Sequence, residues 1–128
     1  MDITVSANNP VPLYQQIVHQ VRAKVLTGEL KAGDPLPSIR QLASQLIASV
    51  ITTKRAYSEL EAEGLIVTRA GLGTFVADLD PETIVELKKE VVMEHLEEGV
   101  RVARQLELVD EEINRLFRQA LDGSEKRV

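Results

Sequence analysis

The sequence predicts a mainly α chain with one small β-hairpin, and three observations carry that prediction. Apolar residues recur at helical spacing in five separate stretches. Two of these, near 38–46 and 49–64, are short and adjacent, and each is headed by a serine suited to capping a helix start. Two β-prone runs, 65–69 and 74–77, flank Ala70-Gly71-Leu72-Gly73, which reads as a hairpin with a glycine-bearing tip. Three helices followed by such a hairpin make a winged helix-turn-helix. The expected organisation is that domain over residues 1–78 and a two-helix hairpin over 79–128.

Residues 1–11 are polar, with Asn8-Asn9-Pro10 and Pro12 as turn signals, and a loose arm is expected there. The first helix begins with Pro12 at its first position and carries Leu13, Ile17, Val18, Val21 and Val25 on one face. Thr27-Gly28 is its expected stop, since glycine takes the left-handed conformation that ends helices. His19 falls off the apolar stripe, and a lone histidine on a polar face reads as solvated. The connection from Gly28 to Pro35 leaves room for a short strand around Leu30.

Ser38 with Gln41 three residues later forms a capping box, and Pro37 keeps the chain extended ahead of it. The helix that follows buries Ile39, Leu42, Ala43 and Leu46 and turns Arg40 outward. Ser49 is the second cap. The next helix buries Thr53, Ala56, Tyr57 and Leu60 and ends at Gly64, with Thr52, Lys54 and Arg55 on its first two turns. Glu59, Glu61 and Glu63 crowd its far end. Acidic groups repel phosphate, so only the N-terminal half of this helix suits entry into a DNA major groove, N-terminus first.

Beyond the hairpin, Asp80-Pro81-Glu82 has the order of a helix start: a capping aspartate, a proline in the first turn and an acid at the positive end. Ile84, Leu87, Val91, Val92, Leu96, Val102 or Ala103, and Leu106 form an apolar stripe. A turn is expected over 106–109, then a last helix capped by Asp110, with Ile113, Leu116, Phe117, Ala120 and Leu121 on one face. Asp122-Gly123 is its expected end, with the last five residues frayed. Two such helices leave apolar surface uncovered. A second copy of the chain, meeting it about a two-fold axis through Ile84, Leu87, Val91, Leu96, Ile113, Leu116, Phe117 and Leu121, is the economical cover.

The net charge of −5 is distributed unevenly. Residues 1–78 hold seven Lys/Arg and seven Asp/Glu, while 79–128 hold eight and thirteen, so the whole excess lies in the second part. Charge alone therefore does not announce a nucleic-acid binder; pattern must. With no cysteine, a thiolate metal site and a disulfide frame are both excluded. The two histidines lie in different segments and no nucleophile–base spacing is present, so an enzyme is not expected. His95 with Glu94, Glu97 or Glu98 lies on one helix, on which i and i+3 positions share a face, but such pairs arise by chance in any acidic helix. No cofactor, metal or catalytic residue is assigned, and no effector is legible. Without a signal pattern or a long apolar run, a cytoplasmic location with no membrane partner is expected.

The residues of this chain resemble those of the GntR family of bacterial transcription regulators. The likeness runs through Pro12-Leu13-Tyr14-Gln15-Gln16-Ile17, then Gly28-Glu29-Leu30 with Gly33-Asp34, then 36–43. It continues through Arg55-Ala56-Tyr57, Glu59-Leu60-Glu61, Glu63-Gly64-Leu65-Ile66 and Gly71-x-Gly73-Thr74-Phe75-Val76. The short tail resembles that of the YtrA subfamily, in which two helices dimerise and links to transporter genes are common. The resemblance implies a homodimeric repressor on a palindromic double-stranded DNA operator, one winged helix per half-site. It implies DNA contacts from Ser38, Arg40, Ser49, Thr52, Lys54 and Arg55, and from Arg69 and Gly71 at the wing. The chain departs from the family at the turn, where Ile47-Ala48-Ser49-Val50 replaces the usual Gly-Val-Ser-Arg. Isoleucine tolerates a left-handed backbone poorly, and Val50 donates no hydrogen bond, though it can touch a thymine methyl. Thr53 also stands where a buried valine or leucine is usual. The competing reading is a winged-helix protein-interaction module with reduced DNA reading. Salt dependence separates the two, because phosphate contacts make affinity fall steeply with salt.

Overall fold

The computed structural model describes residues 1–126. The elements are α1 (Leu13–Leu26), β1 (Pro35–Leu36), α2 (Ile39–Leu46), α3 (Val50–Ala62), β2 (Ile66–Arg69), β3 (Gly73–Val76), α4 (Pro81–Gln105) and α5 (Asp110–Lys126). They fall into two compact units, one spanning Met1–Ile84 and one beginning at Val85.

The core of the first unit forms where amphipathic helices turn their apolar stripes toward one another. α1 contributes Ile17, Val18, Val21 and Val25, α2 contributes Leu42 and Ala43, and α3 contributes Thr53, Ala56, Tyr57 and Leu60. Close packing joins α3 to α1, to α2 and to β2, so α3 is the central element. Thr53 is fully buried in this stripe, and its hydroxyl is satisfied by donating to the Ser49 carbonyl at 3.0 Å. Tyr57 is also buried, and its hydroxyl donates to the Pro37 carbonyl at 2.7 Å, tying α3 to the entry of α2. Burial pushes the Tyr57 phenol well above its usual range, so it stays a neutral donor.

The sheet has the antiparallel order β1-β3-β2, with Pro35 opposite Phe75 and Ile66 opposite Val76. The strand before α2 is therefore at Pro35–Leu36 and not around Leu30, which lies outside any strand. An edge position suits Pro35, which has no N–H to give. The Gly33 N–H donates to the Val76 carbonyl and the Val76 N–H to the Asp34 carbonyl, both at 2.9 Å, so pairing starts before the proline. The expected hairpin is present. Ala70, Gly71 and Leu72 form its tip, and Gly71 takes φ +75°.

The N-terminal arm is not the loose segment its composition suggests. The Gln20 amide oxygen accepts from the Thr4 N–H at 3.0 Å while its nitrogen donates to the Thr4 carbonyl at 2.7 Å. Gln16 does the same to Ser6, at 2.9 and 3.0 Å, and also donates to the Val11 carbonyl at 2.8 Å. Four residues of helix rise about 6 Å and two residues of extended chain about 6.6 Å, so two glutamines one turn apart match alternate arm residues. Neither Pro12 nor Asp110 takes its expected place. Pro12 precedes α1 as its cap residue, its carbonyl accepting from the Gln16 N–H at 3.0 Å. Asp110 is the first residue of α5 and not its cap, and it pairs with Arg104 at 3.3 Å.

In α4 the expected cap is present: Asp80 accepts from the Thr83 N–H at 2.8 Å. That bond, helped by the Thr83 hydroxyl, holds the Asp80 carboxyl below the usual carboxylate range. α4 ends in a Schellman motif, with the Leu108 N–H bonded to the Ala103 carbonyl and Glu107 at φ +63°. α5 runs through Gly123 to Lys126 and does not stop at Asp122-Gly123; of the residues expected to fray, 124–126 are helical and 127–128 lie outside the described residues. A glycine inside a helix lowers stability by only about 1 kcal/mol relative to alanine, too little to end one unaided. Along these helices Ile84, Leu87, Val91 and Ile113 are half-buried, while Leu96, Leu116, Phe117 and Leu121 stay exposed.

Replacing Gln16, which is buried and makes three bonds to the arm, should detach residues 6–11 while Gln20 still holds Thr4. The expected result for Gln16→Ala is a loss of about 2 kcal/mol in denaturant unfolding, with fast hydrogen exchange at the Ser6 amide; an unchanged exchange rate would show that the clamp does not hold the arm.

Candidate nucleic-acid interface

The turn between α2 and α3 is set by a backbone motif. The Ala48 N–H bonds to the Ala43 carbonyl at 2.9 Å and the Ile47 N–H to the Ser44 carbonyl at 3.3 Å, the two bonds of a Schellman end. Its left-handed residue is Ile47, at φ 53°, ψ 43°. The geometry that glycine enters freely is thus imposed on a β-branched residue, as the sequence led us to expect. The Ile47 side chain is 95% exposed.

Both serines named from the sequence are helix caps. Ser38 accepts from the Gln41 N–H at 3.1 Å while the Gln41 amide accepts from the Ser38 N–H at 2.9 Å, a complete capping box. Ser49 accepts from the Thr52 N–H at 3.0 Å and donates to the Thr52 hydroxyl at 2.8 Å. Their hydroxyls are occupied with holding the two helix starts in place. Thr52 is half-buried and keeps its own hydroxyl proton for an outside acceptor.

The outer face of α3 changes character along its length. Val50 and Ile51 open it, exposed; Lys54 and Arg55 follow one turn on, also exposed. Glu61 and Glu63 come last, Glu63 in an ion pair with Arg22 and Glu61 accepting from the Thr68 N–H at 3.2 Å. The acids expected to repel phosphate are therefore also used to fasten the helix end to α1 and β2. Arg40 is exposed on the first turn of α2. Arg55 lies with its guanidinium 3.7 Å from the centre of the Tyr14 ring and donates to the Tyr14 hydroxyl at 3.1 Å. It also approaches Glu59 at 4.0 Å. An arginine held on an aromatic face keeps its charge and loses rotamer freedom.

At the wing, Arg69 ends β2 with its guanidinium 5.7 Å from the Phe75 ring centre. Gly71 is at the tip with open space around it, and Leu72 beside it is exposed. Two features had no signal in the sequence: Tyr14 as the support of Arg55, 41 residues away, and the exposure of Ile51. Away from these elements, His19 is on the exposed side of α1, and His95 is exposed with Nδ1 2.9 Å from the Val91 carbonyl. Among the described residues no group of three or more His, Cys, Asp or Glu is placed to hold a metal ion, and no helix is long and apolar enough to cross a membrane.

A family model described as bacterial regulatory proteins, gntR family, matches residues 13–76. The chain belongs to the GntR family. It is 40% identical over 96 residues to the HTH-type transcriptional repressor YtrA of Bacillus subtilis, covering 75% of this chain and 74% of that protein. Among solved structures, a GntR family transcriptional regulator from Listeria monocytogenes aligns at TM-score 0.69 and 31% identity, over 88% of this chain and 97% of that one. The DNA-binding domain of AraR in complex with its operator ORE1 aligns at TM-score 0.50 and 25% identity, over 60% of this chain and 94% of that one. This GntR-family chain is accordingly a DNA-binding transcription regulator built on a winged helix-turn-helix, and not an enzyme.

Ile47 offers a direct check on the turn. A non-glycine residue in the left-handed region is strained by about 1–2 kcal/mol, and the exposed side chain has little to lose. Ile47→Gly should raise unfolding stability by about 1 kcal/mol, read from a chemical denaturation midpoint at constant m-value. A lower midpoint would mean that Ile47 makes a stabilising contact.

Proposed function

We propose that this chain is a cytoplasmic homodimeric repressor that binds a palindromic operator, one winged helix per half-site, and controls a transporter-linked operon. The observation that carries the DNA half of this reading is the asymmetry of α3. Its first two turns present Lys54 and Arg55 with the Thr52 hydroxyl, while its acids are gathered toward the far end, Glu63 tied to α1, Glu61 to β2 and Glu59 beside Arg55. Inserted N-terminus first, such a helix brings donors to base edges and phosphates and keeps the carboxylates out of the groove. Arg40 beside the groove, and Arg69 with Gly71 at the wing, would contact the backbone.

The dimer half is supported by Leu96 on α4 and by Leu116, Phe117 and Leu121 on α5, which remain exposed in the single chain. With Ile84, Leu87, Val91 and Ile113 half-buried along the same helices, they supply an apolar seam suited to a second copy. The repressor role follows the Bacillus subtilis relative, and the operon link follows the resemblance of the tail.

Fluorescence anisotropy with a duplex selected from a random pool tests the interface. Arg40→Ala and Lys54→Ala should each weaken binding on specific and unrelated duplexes alike and reduce the log–log salt slope by about 1. Thr52→Ala should weaken the selected duplex more than an unrelated one. If Lys54→Ala and Thr52→Ala leave affinity unchanged, the groove assignment is wrong. Sedimentation equilibrium tests the seam: Leu116→Asp with Phe117→Asp should convert a dimer to a monomer that keeps its helical circular dichroism, and a wild-type monomer at tens of micromolar would refute the dimer.

A further inference from the structure

The turn and first residues of α3 carry an apolar group that the fold does not use. Ile47 is 95% exposed, Ile51 81% and Val50 45%. None of them belongs to the core, whose share of α3 begins at Thr53. Ile47 is in addition held at φ 53°, so a strained backbone presents a side chain that touches almost nothing of its own chain. Strain without an internal return points to a contact outside the chain.

The surroundings select the partner. Val50 and Lys54 are four residues apart, and Ile51 is three and four from Lys54 and Arg55, so apolar and cationic side chains share one helical face. A protein groove fits an apolar stripe that continues along the helix. Here the stripe stops after one turn and gives way to cations. The DNA major groove has that arrangement: phosphates at its rims and, on its floor, an apolar group supplied by one base alone, the thymine C5-methyl.

We propose that Ile47, Val50 and Ile51 are specificity-determining residues and that they read thymine methyls, so that each operator half-site carries thymines facing the turn and the start of α3. The inference rests on the DNA-binding reading above and sharpens it. Hydrogen-bonded base reading from the start of this helix falls to Thr52, Lys54 neutralises phosphate, and the apolar residues supply discrimination by excluded water and shape.

The test replaces each thymine of the selected duplex in turn by deoxyuridine, which removes the methyl and leaves base pairing intact. Wild-type protein should lose about fourfold in affinity at each contacted position, the equivalent of one buried methyl. In Ile51→Ala the loss at one such position should shrink to nearly nothing, and Ile47→Gly should behave likewise at another. Lys54→Ala should bind more weakly yet keep the full uracil sensitivity. Specific, salt-dependent binding with less than twofold sensitivity at every thymine overturns this inference and leaves the DNA reading intact. Unchanged DNA affinity in Ile47→Gly and Ile51→Ala would assign the patch to a protein partner and also overturn it. Failure to bind any duplex at low salt removes the DNA reading itself, and this inference with it.

Discussion

The inner stripe of α3, Thr53, Ala56, Tyr57 and Leu60, faces α1, α2 and β2 together, and the position of every outward residue follows from it. A helix whose buried stripe is fixed has its exposed stripe fixed as well, because side chains three and four apart keep their relative directions. Val50, Ile51, Lys54 and Arg55 are therefore set by residues that never leave the core. The same stripe fixes depth as well as rotation. Tyr57 bonds to the Pro37 carbonyl and Ser49 caps the helix one residue ahead of Val50, so α3 has little freedom to slide along its axis.

Much of this was readable in the sequence because local signals agreed with one another. The capping box at Ser38–Gln41, the cap at Ser49, the stop at Gly64 and the hairpin around Gly71 are each written in a few neighbouring residues, and the structure contains all of them. The elements that escaped are those that depend on distant partners. Pro35–Leu36 becomes a strand only because β3 returns beside it, and no two-residue run announces that. The arm around Thr4 and Ser6 is polar and turn-rich in isolation, and its order comes from Gln16 and Gln20 on a helix that has not yet been made when the arm is read. Tyr14 beneath Arg55 is a further case: both residues look like ordinary surface until the fold brings them together.

The bulk charge of the chain pointed away from nucleic acid, and its arrangement explains why that was misleading. The first 78 residues are neutral in sum, yet Glu63 is paired with Arg22, Glu29 with Lys24, and Glu61 is engaged with the β2 backbone. Of these acids Glu61 and Glu63 lie at the far end of α3 and Glu29 lies beyond the end of α1, so the leading turns of α3 carry Lys54 and Arg55. Net charge sums over the whole surface, whereas a groove meets only one face. Surface ion pairs of this kind add little stability on their own. Their contribution is to decide where like charges are absent.

The glutamine clamp on the arm has a property that side-chain packing would not have. Gln16 and Gln20 meet only main-chain groups, those of Thr4 and Ser6 and the Val11 carbonyl, and every residue other than proline offers an N–H and a carbonyl. The grip is blind to the identity of what it holds. The path of the arm across α1 is consequently dictated by the helix, while Ser6 and Asn9 add local bonds by accepting from the Asn8 and Val11 N–H groups. This leaves the exposed side chain of Thr4 as a position whose chemistry can be rewritten, with a label, a charge or a reactive handle, on a segment that stays in register with the folded domain.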